Sequence, residues 1–425
     1  MKLLVLGNSN GSIDIVKYAK RIGVYTIVAD YYPLEYSMAK QIADEHWEIS
    51  TADVDLLEAK CLEVGVDAVV CGCSEFNIER VLDLTERLKL PFYCDRGSWH
   101  YSRDKCDFKN VCKELGIRVP KDYFISGGVL DITSKINYPV VVKPVDQCSN
   151  RGVSFCNNEK EILDAVKVVK SFSSSQNMIV EQMIKGEEWY AYYALADGEA
   201  RFIALNAMYY EPGYPSNCYS ITTTATNYIN KYIKEMNTQI KQLLKRVGCK
   251  EGIAWVQIML NEDDNKFYAI EMGYRLDGDM MFVPYKELIG FDSIKWLVDC
   301  SLWGGNAKTD LPNEPLGAYD KCACSYMVWT KMEGTISQID GLDRIESMDG
   351  IQVAFHAGIG DHFDAYRPLG NILFTSKDVD EMINTIISIN NLLSIRDSYE
   401  NELMIKYTDF HKLRRVYREG FVKAL

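Results

Sequence analysis

Residues 253–275 read IAWVQIMLNEDDNKFYAIEMGYR. Two runs, IAWVQIML and KFYAIEM, alternate apolar and polar residues as strands do, and the Asn/Asp cluster between them is hairpin chemistry. An antiparallel hairpin of this length brings Gln257 and Glu271 close together on neighbouring strands. Their side-chain oxygens suit a hard cation such as Mg²⁺, and the guanidinium of Arg275 follows just beyond.

Further toward the N-terminus, the run YPVVVK ends in Lys143 and is followed by PVDQCSNRGVSF. A β-branched run ending in lysine points an ammonium out of the carboxyl end of a strand, where ligands of α/β sheets collect. The polar stretch after it, with Ser149 just before Gly152, can form a loop whose N–H groups cradle phosphate oxygens. Lys105 opens the predicted helix DKCDFKNVCKELGI, in which Phe108, Val111, Cys112 and Leu115 share one apolar face and Gly116 closes the last turn. A lysine at a helix start is mildly disfavoured by the macrodipole, and an anion within reach would explain it better. In MIVEQMIKGEEW, Glu181 follows the apolar strand at Met178–Val180, Gln182 and Met183 continue it, and Gly186 marks a turn before Glu187 and Glu188. A flat base needs a backbone N–H and C=O at a strand edge with apolar neighbours. One carboxylate can accept both hydroxyls of a ribose. For Glu187 a solvated turn is the preferred reading.

Taken in order, Lys105, Lys143, Glu181, Glu188, Gln257, Glu271 and Arg275 resemble the ATP-grasp superfamily. Its metal hairpin carries Gln or Glu, then Glu, then Asn-Pro-Arg, and its lid loop reads roughly Lys-Pro followed by Gly-Ser-Arg-Gly-Val. The resemblance implies that Lys105, Lys143 and Ser149 hold phosphates and that Glu181, Gln182, Met183 and Ile184 form the adenine hinge. It further implies that Glu188 holds the ribose, that Gln257 and Glu271 bind Mg²⁺ (or Mn²⁺), and that Arg275 is catalytic. The implied activity is ATP-dependent carboxylate–amine ligation through an acyl phosphate, releasing ADP and phosphate. Carboxylation of an amine through carboxyphosphate, and nucleotide binding without chemistry, are the rival classes. Two departures stand out: the lid lacks the glycines usual before its serine, and Gly273 and Tyr274 replace the Asn and Pro of the metal hairpin. A metal ligand is therefore missing at 273, with Asp277 or Asp279 as candidate substitutes.

At 425 residues, two or three domains are expected, and 47% apolar with 25% charged residues is ordinary for a soluble globular chain. A net charge of −13 argues against nucleic-acid and anionic-membrane surfaces. Thirteen scattered cysteines without ligand spacing point to a reducing cytoplasm, and the apolar start of MKLLVLGNSNGS is too short for a signal peptide. KLLVLG, VYTIVAD and DAVVCG alternate with helical segments, so the first hundred residues read as a small doubly wound domain. Its loop, with Gly7 and Gly11, lacks the middle glycine of a dinucleotide fingerprint. The expected architecture is α/β and α+β. It comprises a pre-ATP-grasp domain (1–100), an ATP-grasp domain (101–310, its lid about 120–190) and a C-terminal mixed α/β lobe (311–425). Ser74 and Glu75 are candidate substrate contacts. MYYEPGYPSNCYSITTTAT reads equally as a substrate-selecting loop or a long β-ribbon. His356, His362 and Arg367 are candidates from the C-terminal lobe, against ordinary surface or core positions. The expected partners are a small carboxylate and a small amine, amino-acid-like in character, and a homodimer is compatible with the sequence.

Overall fold

The near-continuous apolar runs of the first seventy residues cannot leave either face in water, and they form a parallel sheet. In the computed structural model its order is Glu45–Glu48, Tyr25–Asp30, Lys2–Leu6 and Ala68–Cys71, flanked by helices Ser12–Arg21, Val54–Val64 and Glu75–Leu88. The structure describes residues 1–414 apart from 124, 127–128, 131–135, 146–151, 173–176, 216–217, 225–227 and 316–318. Gly7, at φ +81°, turns the chain out of the first strand, and a Cβ there would lie 2.1 Å from the Asn77 amide. The loop is therefore filled from within by Asn77, which donates to the Leu6 carbonyl at 3.3 Å.

A second, antiparallel sheet runs Asp122–Tyr123, Met178–Gln182, Val140–Pro144 and Ser154–Cys156. Helix Glu159–Phe172 covers it, and Val140, Val142, Ile162, Val169 and Val180 form an apolar cluster separate from the main core.

The largest sheet has eight strands, ordered Phe267–Gly273, Gly252–Asn261, Gly186–Ala196, Glu199–Tyr210, Tyr219–Thr224, Cys322–Trp329, Pro368–Ser376 and Ile351–Phe355. It runs unbroken past residue 310, so the strands expected in a separate C-terminal lobe are its continuation. MYYEPGYPSNCYSITTTAT contributes an antiparallel ribbon, Glu199–Tyr210 against Tyr219–Thr224, and Trp329 packs edge-on against Tyr219. Alternation gives the sheet two unlike faces. One packs on helix Val379–Leu392, with Tyr326 donating to Asn390 at 2.7 Å. The other carries Glu271, Gln257, Tyr190 and Asn206, each opposite the next, and Thr222 opposite Ser325, with Asn206 diagonal to Thr222. Among the described residues, no helix is long and apolar enough to cross a membrane.

Candidate functional site

The polar face of the large sheet begins at the hairpin. Gln257 stands directly opposite Glu271, beside a bulge at Gln257/Ile258 that re-aims the strand. Lys105 opens helix Lys105–Glu114, whose cap Asp104 accepts from the N–H groups of Cys106 and Asp107. Its ammonium lies 3.1 Å from Glu271.

Glu188, expected at a ribose, lies against Gln257, one of the two residues expected to bind a metal. Gln257 Nε2 donates to it at 2.5 Å, Tyr190 donates at 3.1 Å, and Tyr210 donates as well. The reason is register: Gly186–Ala196 is the next strand over, which puts Glu188 diagonal to Gln257 on the same face. Burial holds its carboxyl above the ordinary carboxylate range, against hydrogen bonds from Tyr210, Gln257 and Tyr190. With its nitrogen spent on Glu188, Gln257 keeps its amide oxygen for a cation. The donor set of Glu188, Gln257 and Glu271 is all oxygen, which fits Mg²⁺ and not a soft metal.

The missing ligand at 273 has a steric cause. Trp255 pairs with Gly273 across the hairpin, and a Cβ at 273 would fall 2.2 Å from its ring. The indole thus occupies the place an asparagine would take, and the Arg275 guanidinium stacks on it at 5.0 Å. Tyr274 is fully buried, its hydroxyl donating to the Glu251 carbonyl at 2.6 Å. Asp277 and Asp279 lie farther along the chain, with Asp277 accepting from the Met281 N–H at 2.9 Å.

On the small sheet, Lys143 and Glu181 come together at 2.6 Å. A third residue completes the group: Lys109 lies 2.7 Å from Glu181 and also pairs with Asp122. Lys109 was missed in the sequence, where its one signal is the spacing of four from Lys105 along the helix. Burial alone would push Glu181 up, but Lys143 and Lys109 draw its carboxyl below the usual range. The expected strand edge at Glu181–Met183 is corrected. Met178–Gln182 lies between two strands, Gln182 N–H donates to Lys121 and Met183 N–H to Pro139, so the unpaired backbone begins only around Ile184. Ser149 lies outside the described residues.

Arg275 pairs with neither Asp277 nor Asp279. It donates to Glu75 at 2.7 Å, and Glu75 also accepts from Arg103 at 2.5 Å. Glu75 stands at the start of the helix that follows the strand Ala68–Cys71, and Ser74 caps that helix. Arg275 and Arg103, in that order after opposing burial, hold the Glu75 carboxyl below its ordinary range. His362 and Arg367 are exposed and bond to Thr335 on the paired strand and to Asp364, and His356 is also exposed. None of the three is brought to the hairpin.

The site combines cations that suit phosphates with oxygen donors that suit a hard metal, on a paired-sheet framework. Residues 136–282 match the model of the ATP-grasp domain, and the chain carries such a domain. A formate-dependent phosphoribosylglycinamide formyltransferase of Prochlorococcus marinus subsp. pastoris is 31% identical over 173 residues, 39% of this chain and 44% of that protein. The chain thus spans less than half the length of this curated relative. In fold, the chain is similar to an L-amino acid ligase from Bacillus licheniformis (TM-score 0.75, 18% identity, 93% of this chain and 98% of that one). It is also similar to a biotin carboxylase from Campylobacter jejuni, in a β-γ-ATP complex (TM-score 0.78, 15% identity, 100% and 96%).

Proposed function

We propose that the protein is an ATP-dependent, ADP-forming carboxylate–amine ligase. The observation that carries this reading is the juxtaposition of Glu271, Gln257 and Glu188 on one sheet face with the Lys105 ammonium against them, Arg275 following two residues beyond the strand of Glu271. Mg²⁺ held by Gln257 and Glu271, with Glu188 beside them, would supply charge neutralisation for the polyphosphate. Lys105 and Lys143 are assigned to phosphate oxygens. Each leans on a carboxylate, Lys105 on Glu271 and Lys143 on Glu181, which aims its ammonium inside the site. Gln182, Met183 and Ile184 are assigned to the base.

A carboxylate and ATP repel each other, so the protein's task is positioning and charge stabilisation. Arg275, braced by Glu75 and Trp255, would stabilise the transferring phosphoryl group. It would then stabilise the oxyanion formed when an amine attacks the acyl phosphate. The same groups would serve carboxyphosphate chemistry, and the 31% identical relative, a formate-dependent enzyme, supports an organic carboxylate. The test is to incubate the full chain with ATP, Mg²⁺ and pooled amino acids, following phosphate release and new masses. A new amide mass with equimolar ADP supports ligation. Bicarbonate-dependent ATP hydrolysis without such a mass favours the carboxylase, and ATP binding without ADP release rules out both.

A further inference from the structure

Beyond Arg275 the chain departs from the phosphate-binding character of the site. Asp277 and Asp279 are 5% and 4% exposed, bonded to each other, and tied to the Met281 N–H. Between them, Gly278 faces open space: a Cβ built there meets nothing within 4 Å. The loop is held over the polar sheet face by Asn371, which donates to the Asp279 carbonyl at 3.2 Å and to Ser325 at 3.1 Å. From the N-terminal domain, Asn10 donates to the Gly278 carbonyl at 2.7 Å.

Under this loop the sheet offers polar atoms with nothing to bind. Thr222 lies directly opposite Ser325 on the same face, is 1% exposed, and its Oγ1 has no hydrogen-bond partner among the described residues. Asn206, 0% exposed, spends its nitrogen on the Tyr285 hydroxyl at 2.6 Å and leaves its Oδ1 unpartnered. Buried polar atoms are nearly always satisfied, so two orphans on the sheet face that the Asn371-tethered loop covers point to a missing partner. That partner must be a donor, because the Asn206 amide oxygen accepts, the Thr222 hydroxyl can accept, and the Asp277–Asp279 pair, sharing one proton, keeps acceptor oxygens. A cation suits it best, because the proton-sharing pair still buries a net negative charge. The phenols of Tyr192, Tyr219 and Tyr285 lie close enough to both acids to feel their charge, which adds aromatic walls suited to an ammonium.

We infer that Asp277 and Asp279, with Asn206 and Thr222 beneath them, form a subsite for a primary ammonium group of the substrate, set beyond Arg275 from the phosphate side. The assignment rests on the ligase reading and narrows it: one of the two substrates carries a free amine recognised as a cation.

Two measurements on the full chain test it separately from ligation. The first is thermal unfolding with methylammonium chloride against potassium chloride at equal ionic strength. Methylammonium should raise the Tm of the wild type and not that of Asp277→Asn/Asp279→Asn. Thr222→Val guards against a double variant that fails to fold. Removing an orphan hydroxyl should leave the free chain at least as stable, while weakening the methylammonium shift. The second, once a substrate pair is known, is the KM of the amine-bearing substrate in these variants. It should rise about tenfold or more beyond any change in the KM of ATP, as expected for loss of a charge-assisted hydrogen bond. No methylammonium shift in the wild type overturns the subsite, as does an equal shift from magnesium chloride, which would make the pair a metal site. Ligation with unchanged KM in the variants overturns the subsite and leaves the ligase reading standing. A methylammonium shift lost in the variants, in a chain that releases no ADP, keeps the subsite and rejects the ligase.

Discussion

Arg275→Ala separates a group that acts on the transferring phosphoryl from one that only ties two parts of the chain together. The guanidinium donates to Glu75 at 2.7 and 3.3 Å and to the Leu276 carbonyl at 2.8 Å, and it stacks on Trp255. A hydrogen bond to a charged group contributes about 1.5–3 kcal/mol and a cation–π contact about 1 kcal/mol. Glu75 keeps Arg103 as a partner, so it is not stranded and the lower part of that range applies. The expected loss of folding stability is about 2 kcal/mol. The expected loss of turnover is larger, about 10²–10³-fold, as for a lost oxyanion donor, with ATP affinity nearly intact. Glu75→Gln is the comparator: it shares the stability loss, because the tether is weakened, but keeps Arg275 and most of the rate. Arg275→Lys should rescue poorly, since an ammonium lacks the planar fork. Urea unfolding, equilibrium ATP binding and ADP release at saturating ATP should be read on the same preparations. Equal rate losses in Arg275→Ala and Glu75→Gln would refute the reasoning. A normal saturated rate with weak ATP binding would make Arg275 a nucleotide clamp.

Glu271→Gln should abolish ADP formation while sparing the fold, a loss of several kcal/mol at the transition state, checked by turnover and circular dichroism. Wild-type turnover in that variant would remove Glu271 from the metal site. Gly273→Ala should destabilise by about 1–3 kcal/mol, because its Cβ meets the Trp255 ring at 2.2 Å. Adding Trp255→Ala should cost less than the sum of the two single changes, and strict additivity would show that the contact is relieved elsewhere. Burial, and then Asp279, hold the Asp277 carboxyl well above its ordinary 3.8. A raised acid binds its proton more tightly folded than unfolded. Its stabilising contribution is therefore present below pH 3.8 and lost as pH rises through the folded value. Asp277→Asn should accordingly raise Tm near neutral pH and not near pH 3.5, read by calorimetry at both. A variant less stable at neutral pH would show that the chain itself supplies a compensating cation.

The local parts of this protein were legible in its sequence. Gln257 and Glu271 could be paired from residues alone, because strand period and an Asn/Asp turn are short-range signals that specify register within one hairpin. The parallel N-terminal sheet followed from strand-like runs alternating with helical segments, also a short-range signal. Tertiary structure alone decided which charge meets which. Glu75 and Arg275 are 200 residues apart and Lys109 and Glu181 are 72 apart, and no local pattern links residues at such separations. The contact of Glu188 with Gln257 came from packing on the adjacent strand, where Gln257, Tyr190 and Tyr210 all donate to its carboxyl. Gly273 looked like a lost ligand in one dimension. In three it is the space that the Trp255 ring requires, because two side chains cannot share one volume in a close-packed interior.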